Sequence, residues 1–243
     1  MNKVYLSVLL LLSCTIAHAQ FNDSTHYYFK LLSTGVINST NDAKSYVLKN
    51  GFNFNAQKKR FSYNTYFNWI YGELQNELTN NDFTAHGDVD FNKGITKLYY
   101  WGLINYDKIY SLNINYRLQA GAGLAYNIID SPALRINVSD GIVYEKGDLQ
   151  DATLGRDVYQ VPRNSFRLSY KWEIVNRFRI DGVHFYQPSL LSIKDYIIQS
   201  SSNLSVKLNQ WLSITAALTY NRVSRTNREN LLFTYGLTIE KYF

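Results

Sequence analysis

The stretch Leu112-Asn113-Ile114-Asn115-Tyr116-Arg117-Leu118-Gln119-Ala120-Gly121-Ala122-Gly123-Leu124-Ala125-Tyr126-Asn127-Ile128 decides the fold. Leu112, Ile114, Tyr116, Leu118, Ala120, Ala122, Leu124, Tyr126 and Ile128 fall on one face at a period of two. Asn113, Asn115, Arg117, Gln119, Gly121, Gly123, Ala125 and Asn127 fall on the other. A strand sends successive side chains to opposite sides, so this pattern predicts a long strand with one apolar and one polar or small face.

The same period recurs outward from it. Phe83, Ala85, Gly87, Val89 and Phe91 alternate with Thr84, His86, Asp88, Asp90 and Asn92. Phe61, Tyr63, Phe67, Trp69 and Tyr71 share a face, as do Leu212, Ile214, Ala216, Leu218 and Tyr220. Phe166, Leu168, Tyr170, Trp172 and Ile174 stand opposite Arg167, Ser169, Lys171 and Glu173. The Ile180–Tyr186 strand has the least regular alternation. Short turn signals lie at Asp130–Ala133 and Asn176–Arg177. Longer polar stretches at 38–42, 75–82, 145–160 and 224–229 read as external loops. The count is about twelve strands of membrane-spanning length, and alternating short and long connections are those of an outer-membrane barrel.

Composition agrees. Tyr occurs 21 times and Phe 13 times, against 3 Pro, and charged residues make up 18%. Aromatics suit a pleated wall, and a membrane barrel uses Tyr and Trp at its interfaces. A soluble sandwich would instead leave many buried phenols in need of partners. The expected fold class is therefore all-β: a single transmembrane antiparallel barrel over residues 20–243. The net charge of +6 carries no basic cluster beyond Gln57-Lys58-Lys59-Arg60, so nucleic acid is not an expected partner.

Residues 1–19 have the three parts of a signal peptide: Lys3, the apolar run Val4–Leu12, and Ala17-His18-Ala19 before cleavage. Leu11-Leu12-Ser13-Cys14 offers a competing lipoprotein-like processing site. Cys14 is the one cysteine, so cleavage after Ala19 leaves no thiol chemistry. The expected location is the outer membrane of a Gram-negative bacterium. The final strand alternates Tyr235, Leu237, Ile239 and ends on Phe243, a pattern like the C-terminal signal read by barrel-assembly machinery. That machinery and outer-membrane lipid are the expected partners.

Several segments together resemble a known family. They are Leu118–Tyr126 with the turn at Ile129-Asp130, Asp140–Glu145, Phe166–Trp172, Asp195-Tyr196 through Ser205–Leu208, Trp211–Ile214, and Tyr220. In this order they resemble the outer-membrane proteins of the DUF481 group, which includes salt-induced outer-membrane proteins. The resemblance implies an outer-membrane barrel. It implies no activity, ligand or catalytic residue.

The polar faces supply the candidate site. Arg117, Arg135, Arg167, Lys171 and Arg179 form a basic track on the inferred lumen side. Charged rings bias ion passage, so the track could pass a small anionic solute or oligosaccharide. The leading reading is that it pairs with Asp88, Asp90, Glu173, Asp181 and Glu240 and fills the barrel of a structural or stress-related protein, with the channel as the alternative. No cofactor, resident metal or catalytic residue is expected. His86, Asp88 and Asp90 share a face at spacings that could present a hard cation, but a polar lumen network is the preferred reading of them. His26, His86 and His184 lie near no recognisable serine nucleophile motif, which leaves lipid hydrolysis an outlying alternative.

Overall fold

The structure is a computed structural model that describes residues 25–39, 44–91, 96–151, 155–175 and 177–242. The processing sites at 1–19 and Cys14, and the terminal Phe243, lie outside them. The strands are β1 (Thr25–Ser39), β2 (Lys44–Lys58), β3 (Phe61–Leu74), β4 (Glu77–Phe91), β5 (Leu98–Ile109) and β6 (Ile114–Asp130). They continue with β7 (Leu134–Asp151), β8 (Gly155–Asn164), β9 (Phe166–Ile174), β10 (Phe178–Pro188), β11 (Tyr196–Lys207), β12 (Leu212–Val223) and β13 (Arg228–Tyr242).

All pairings are antiparallel between neighbours, and β1 pairs with β13 to close the wall. Thirteen segments make a twelve-strand barrel because β8 and β9 are one strand. The β7 register runs unchanged from Leu134↔Trp172 in β9 through Ile142↔Asn164 to Asp151↔Gly155 in β8. On the other edge, β10 pairs with β9 and leaves β8 after the isolated bridge Arg163↔Ser189. Thr25 and Tyr242 lie at one end, here called the terminal rim. The opposite end is the far rim.

Alternation sorts inside from outside as the sequence predicts. Leu118, Leu124, Tyr126, Phe61, Phe67, Trp69, Phe166, Trp172, Leu218, Tyr235, Leu237 and Ile239 are all exposed on the outer wall. Two departures have local causes. Leu112 and Ile114 do not share the outward face of Leu118; both are buried inside. A register shift between Ile114 and Tyr116 inserts one residue there, which flips the alternation.

Two of the expected long loops, 75–82 and 145–160, are largely strand where described, whereas 224–227 is a turn as expected. Gln75 and Asn76 form a tight turn, both with positive φ (53° and 68°), and the ladder runs on beyond it. Residues 145–151 end β7 and residues 155–160 begin β8, with Glu145 0% exposed. Where a strand rises past the apolar band its outer face turns polar. The alternation then fades while the hydrogen-bonded ladder continues.

Glycines in the diagnostic stretch have a packing role. A Cβ on Gly123 or Gly141 would stand 2.7 or 2.5 Å from the Trp101 ring. The indole lies inside over both, donating its Nε1–H to the Leu124 carbonyl at 3.1 Å. Tyr99, Trp101, Ala125 and Val143 form one buried apolar block there.

Candidate functional site

The barrel interior carries the chemistry, and its two ends differ. At the far rim the interior holds one buried apolar cluster. It joins Ile109, Leu112 and Ile114 to Leu149, Tyr159 and Val161, and reaches Ile197 and Val223 on the opposite wall. The 3₁₀ turn Tyr110–Leu112 lies over the mouth. Its Ser111 donates N–H and Oγ–H to Asp82 at 2.9 and 2.7 Å and accepts Asn230 Nδ2 at 3.0 Å. Tyr159 folds inward because Gly147 opposite it has no side chain; a Cβ there would meet the phenol ring at 2.7 Å.

Ion pairs clamp this cluster. Arg225, in the β12–β13 turn, donates to Asp195 at 2.8 Å and to Asp157 at 3.0 Å, and covers the Tyr159 ring at 4.0 Å. Burial alone would lower this guanidinium, but its hydrogen bonds to both carboxylates hold it above arginine's usual value. Arg163, 0% exposed, donates to Glu145 and Asp195, each at 2.9 Å. Glu145 also accepts the Tyr159 hydroxyl and Gln119 Nε2, each at 2.6 Å.

The predicted basic residues are placed as follows. Arg117 is buried and donates twice to Asp107 Oδ2, at 2.9 and 2.6 Å. Asn105 and Thr84 complete that carboxylate's shell, each at 2.8 Å. Arg179 bonds Glu173 at 2.7 Å and Glu240 at 2.5 Å. Lys171 stands 3.4 Å from the same Glu173, which also takes Lys207 at 2.5 Å. Arg167 bonds the Ser139 hydroxyl at 3.0 Å. Arg135 sits at the terminal rim, largely exposed, 3.5 Å from Asp130.

The predicted acids follow suit. Glu240 additionally accepts the Tyr28 hydroxyl at 3.0 Å. Asp181 accepts Asn203 at 2.8 Å and lies 4.0 Å from Lys30. Asp88 accepts His86 Nε2 at 2.9 Å and Asn64 at 3.0 Å, and Asp90 is buried on the same face. Among the described residues, no group of three or more side chains is arranged to hold a metal ion.

Sequence reasoning missed Asp107, Glu145, Arg163, Asp195 and Arg225. Asp107 was within reach, since β5 alternates as its neighbours do. Glu145 and Arg225 fall in polar stretches read as loops, and Arg163 and Asp195 lie outside the alternating runs. It also missed a pair on the outer wall. His184 Nδ1 lies 2.7 Å from Ser200 Oγ, and Tyr170 stacks on the imidazole at 5.5 Å. Among the described residues no carboxylate orients that imidazole, so the pair lacks the third member a nucleophilic serine uses.

The chain belongs to the DUF481 family, proteins of unknown function, with the match spanning residues 33–239. Among curated protein sequences none matches it. Of solved structures, the NanC porin superimposes with a TM-score of 0.54 at 9% identity, over 87% of this chain and 98% of that one. The translocator domain of the autotransporter NalP from Neisseria meningitidis gives 0.48 at 10% identity, over 97% and 94%. An outer membrane channel from Pseudomonas putida F1 gives 0.48 at 12% identity, over 90% and 94%. The NanC likeness is one of fold, a membrane-type β-barrel.

Proposed function

We propose that this chain is an outer-membrane wall protein whose barrel stands closed at rest, with a charge-paired interior, and that it is not an enzyme. The observation that supports this reading best is the complete burial of Arg117, Arg163 and Glu145 in mutual carboxylate and amide contacts beneath an apolar cluster. An even number of strands leaves both ends of the chain on one side, the periplasmic side in this reading. The outward Tyr235, Leu237 and Ile239 fit the role of a strand read during assembly. Planar-bilayer recording of the refolded barrel tests closure: the expected trace has no steady open-channel current. A stable anion-preferring conductance in the unmodified protein would overturn it.

A second reading is a channel for small anions or acidic oligosaccharides. Arg135, Arg167 and Lys171 favour it, because they are less buried than Arg117 and Arg179 and lie toward the terminal rim. In that case conductance appears and falls when these three are neutralised together.

A further inference from the structure

Four basic side chains are buried among the described residues: Lys49, Arg117, Arg163 and Arg179. Three of them sit on carboxylates. Lys49, 3% exposed, does not: no described carboxylate oxygen lies within 4.0 Å of its ammonium, and its hydrogen bond goes to the Thr219 hydroxyl at 2.7 Å. Lys49 belongs to β2 and Thr219 to β12, so the side chain reaches past β1 and β13 across the interior. Burying an ammonium against one hydroxyl is costly, and proteins ordinarily compensate such a charge with an anion.

The surrounding wall is made of hydroxyls. Thr34, directly opposite Lys49 in the β1–β2 ladder, hydrogen-bonds Thr234 at 2.9 Å. Both threonines are buried, and further along the same wall Thr215 bonds Thr238 at 2.7 Å and Ser205 at 2.8 Å. Thr219 accepts from Lys49, so its own O–H remains free to donate. In the Thr34–Thr234 pair one hydroxyl donates to the other, and the acceptor's proton is likewise free. An ammonium with spare N–H groups and rotatable hydroxyls is a donor set for an anion and a poor one for a cation.

We propose that Lys49, with the Thr219 hydroxyl and the Thr34–Thr234 pair, forms an interior site for one small inorganic anion of the halide class. The position lies outside the basic track of Arg117, Arg135, Arg167, Lys171 and Arg179, on the hydroxyl-rich wall. The anion neutralises the lysine and completes the charge pairing of the lumen.

The test refolds the full barrel into detergent micelles in sodium chloride or in sodium gluconate at equal ionic strength. Chloride is the probe, and gluconate, a bulky organic anion, is the reference. The unfolding midpoint, read from heat-modifiable gel mobility, is expected to be about 3 °C or more higher in chloride. Lys49→Met removes the difference, and Thr219→Val, which keeps the charge, reduces it. Chloride-35 line broadening by the unmodified barrel, beyond that of empty micelles, gives a readout that needs no variant. Equal midpoints in both salts, an undiminished chloride increment in Lys49→Met, or no excess line broadening would each overturn the site. The site does not require the lumen to conduct, so this measurement and the bilayer recording fail independently.

Discussion

The two ends of the interior solve the same problem with opposite chemistry. The far rim holds a buried apolar cluster, Ile109, Leu112, Leu149, Val161, Ile197 and Val223, flanked by ion pairs. Toward the terminal rim, Arg179, Glu173, Glu240, Lys207 and Tyr28 make a polar weave. Apolar packing is nondirectional and tolerates small shifts. Buried charges demand their partners, and losing one costs far more than the intact pair contributes. The far rim should therefore yield gradually, and the charged layers abruptly.

The sharpest way to break this contrast is Asp107→Ala. It strands Arg117 beneath the apolar cluster and should cost about 3–5 kcal/mol, seen as a lowered unfolding midpoint or failed refolding. A loss below about 1 kcal/mol would mean that water reaches the guanidinium. Leu149→Ala at the far rim should cost about 2–3 kcal/mol as a cavity forms, with the barrel still folded and brief conductance openings appearing in bilayers. Arg225→Ala releases the clamp on the β7–β8 hairpin. It should lower stability by about 1 kcal/mol while measurably speeding protease cleavage within that hairpin. Arg135→Ala should change the midpoint little, within about 0.5 kcal/mol, because its pair with Asp130 is exposed.

Much of the wall was legible in the sequence, because lipid on one side and a polar interior on the other impose a strict period of two. The diagnostic strand shows this from Leu118 to Tyr126, and shows where it stops. The extra residue between Ile114 and Tyr116 leaves no compositional trace, so the alternation points Leu112 and Ile114 outward although they lie inside. Residues 145–151 and 155–160 read as a loop for a related reason: past the apolar band, polar residues face water outside and partners inside. Partner choice within the lumen was less legible still. Arg117 finds Asp107 on the next strand, and Arg179 finds Glu240 on a distant one, because closure sets cross-lumen neighbours that no local spacing encodes. Lys49 has inward parity on β2, but its lack of a carboxylate emerges only when every facing strand is in place.

The seam between β1 and β13 has a consequence in time. Tyr28 pairs with Tyr242 and Gly35 with Tyr235, so the last ladder joins residues 200 to 214 apart in sequence. Loop-closure entropy must be met before those contacts repay it, which places this barrel among slow-folding, high-contact-order topologies. Until the seam forms, two unpaired strand edges are exposed, and nascent chains can stick to one another there. Refolding yield should accordingly fall as protein concentration rises, with the onset set by how long the seam stays open.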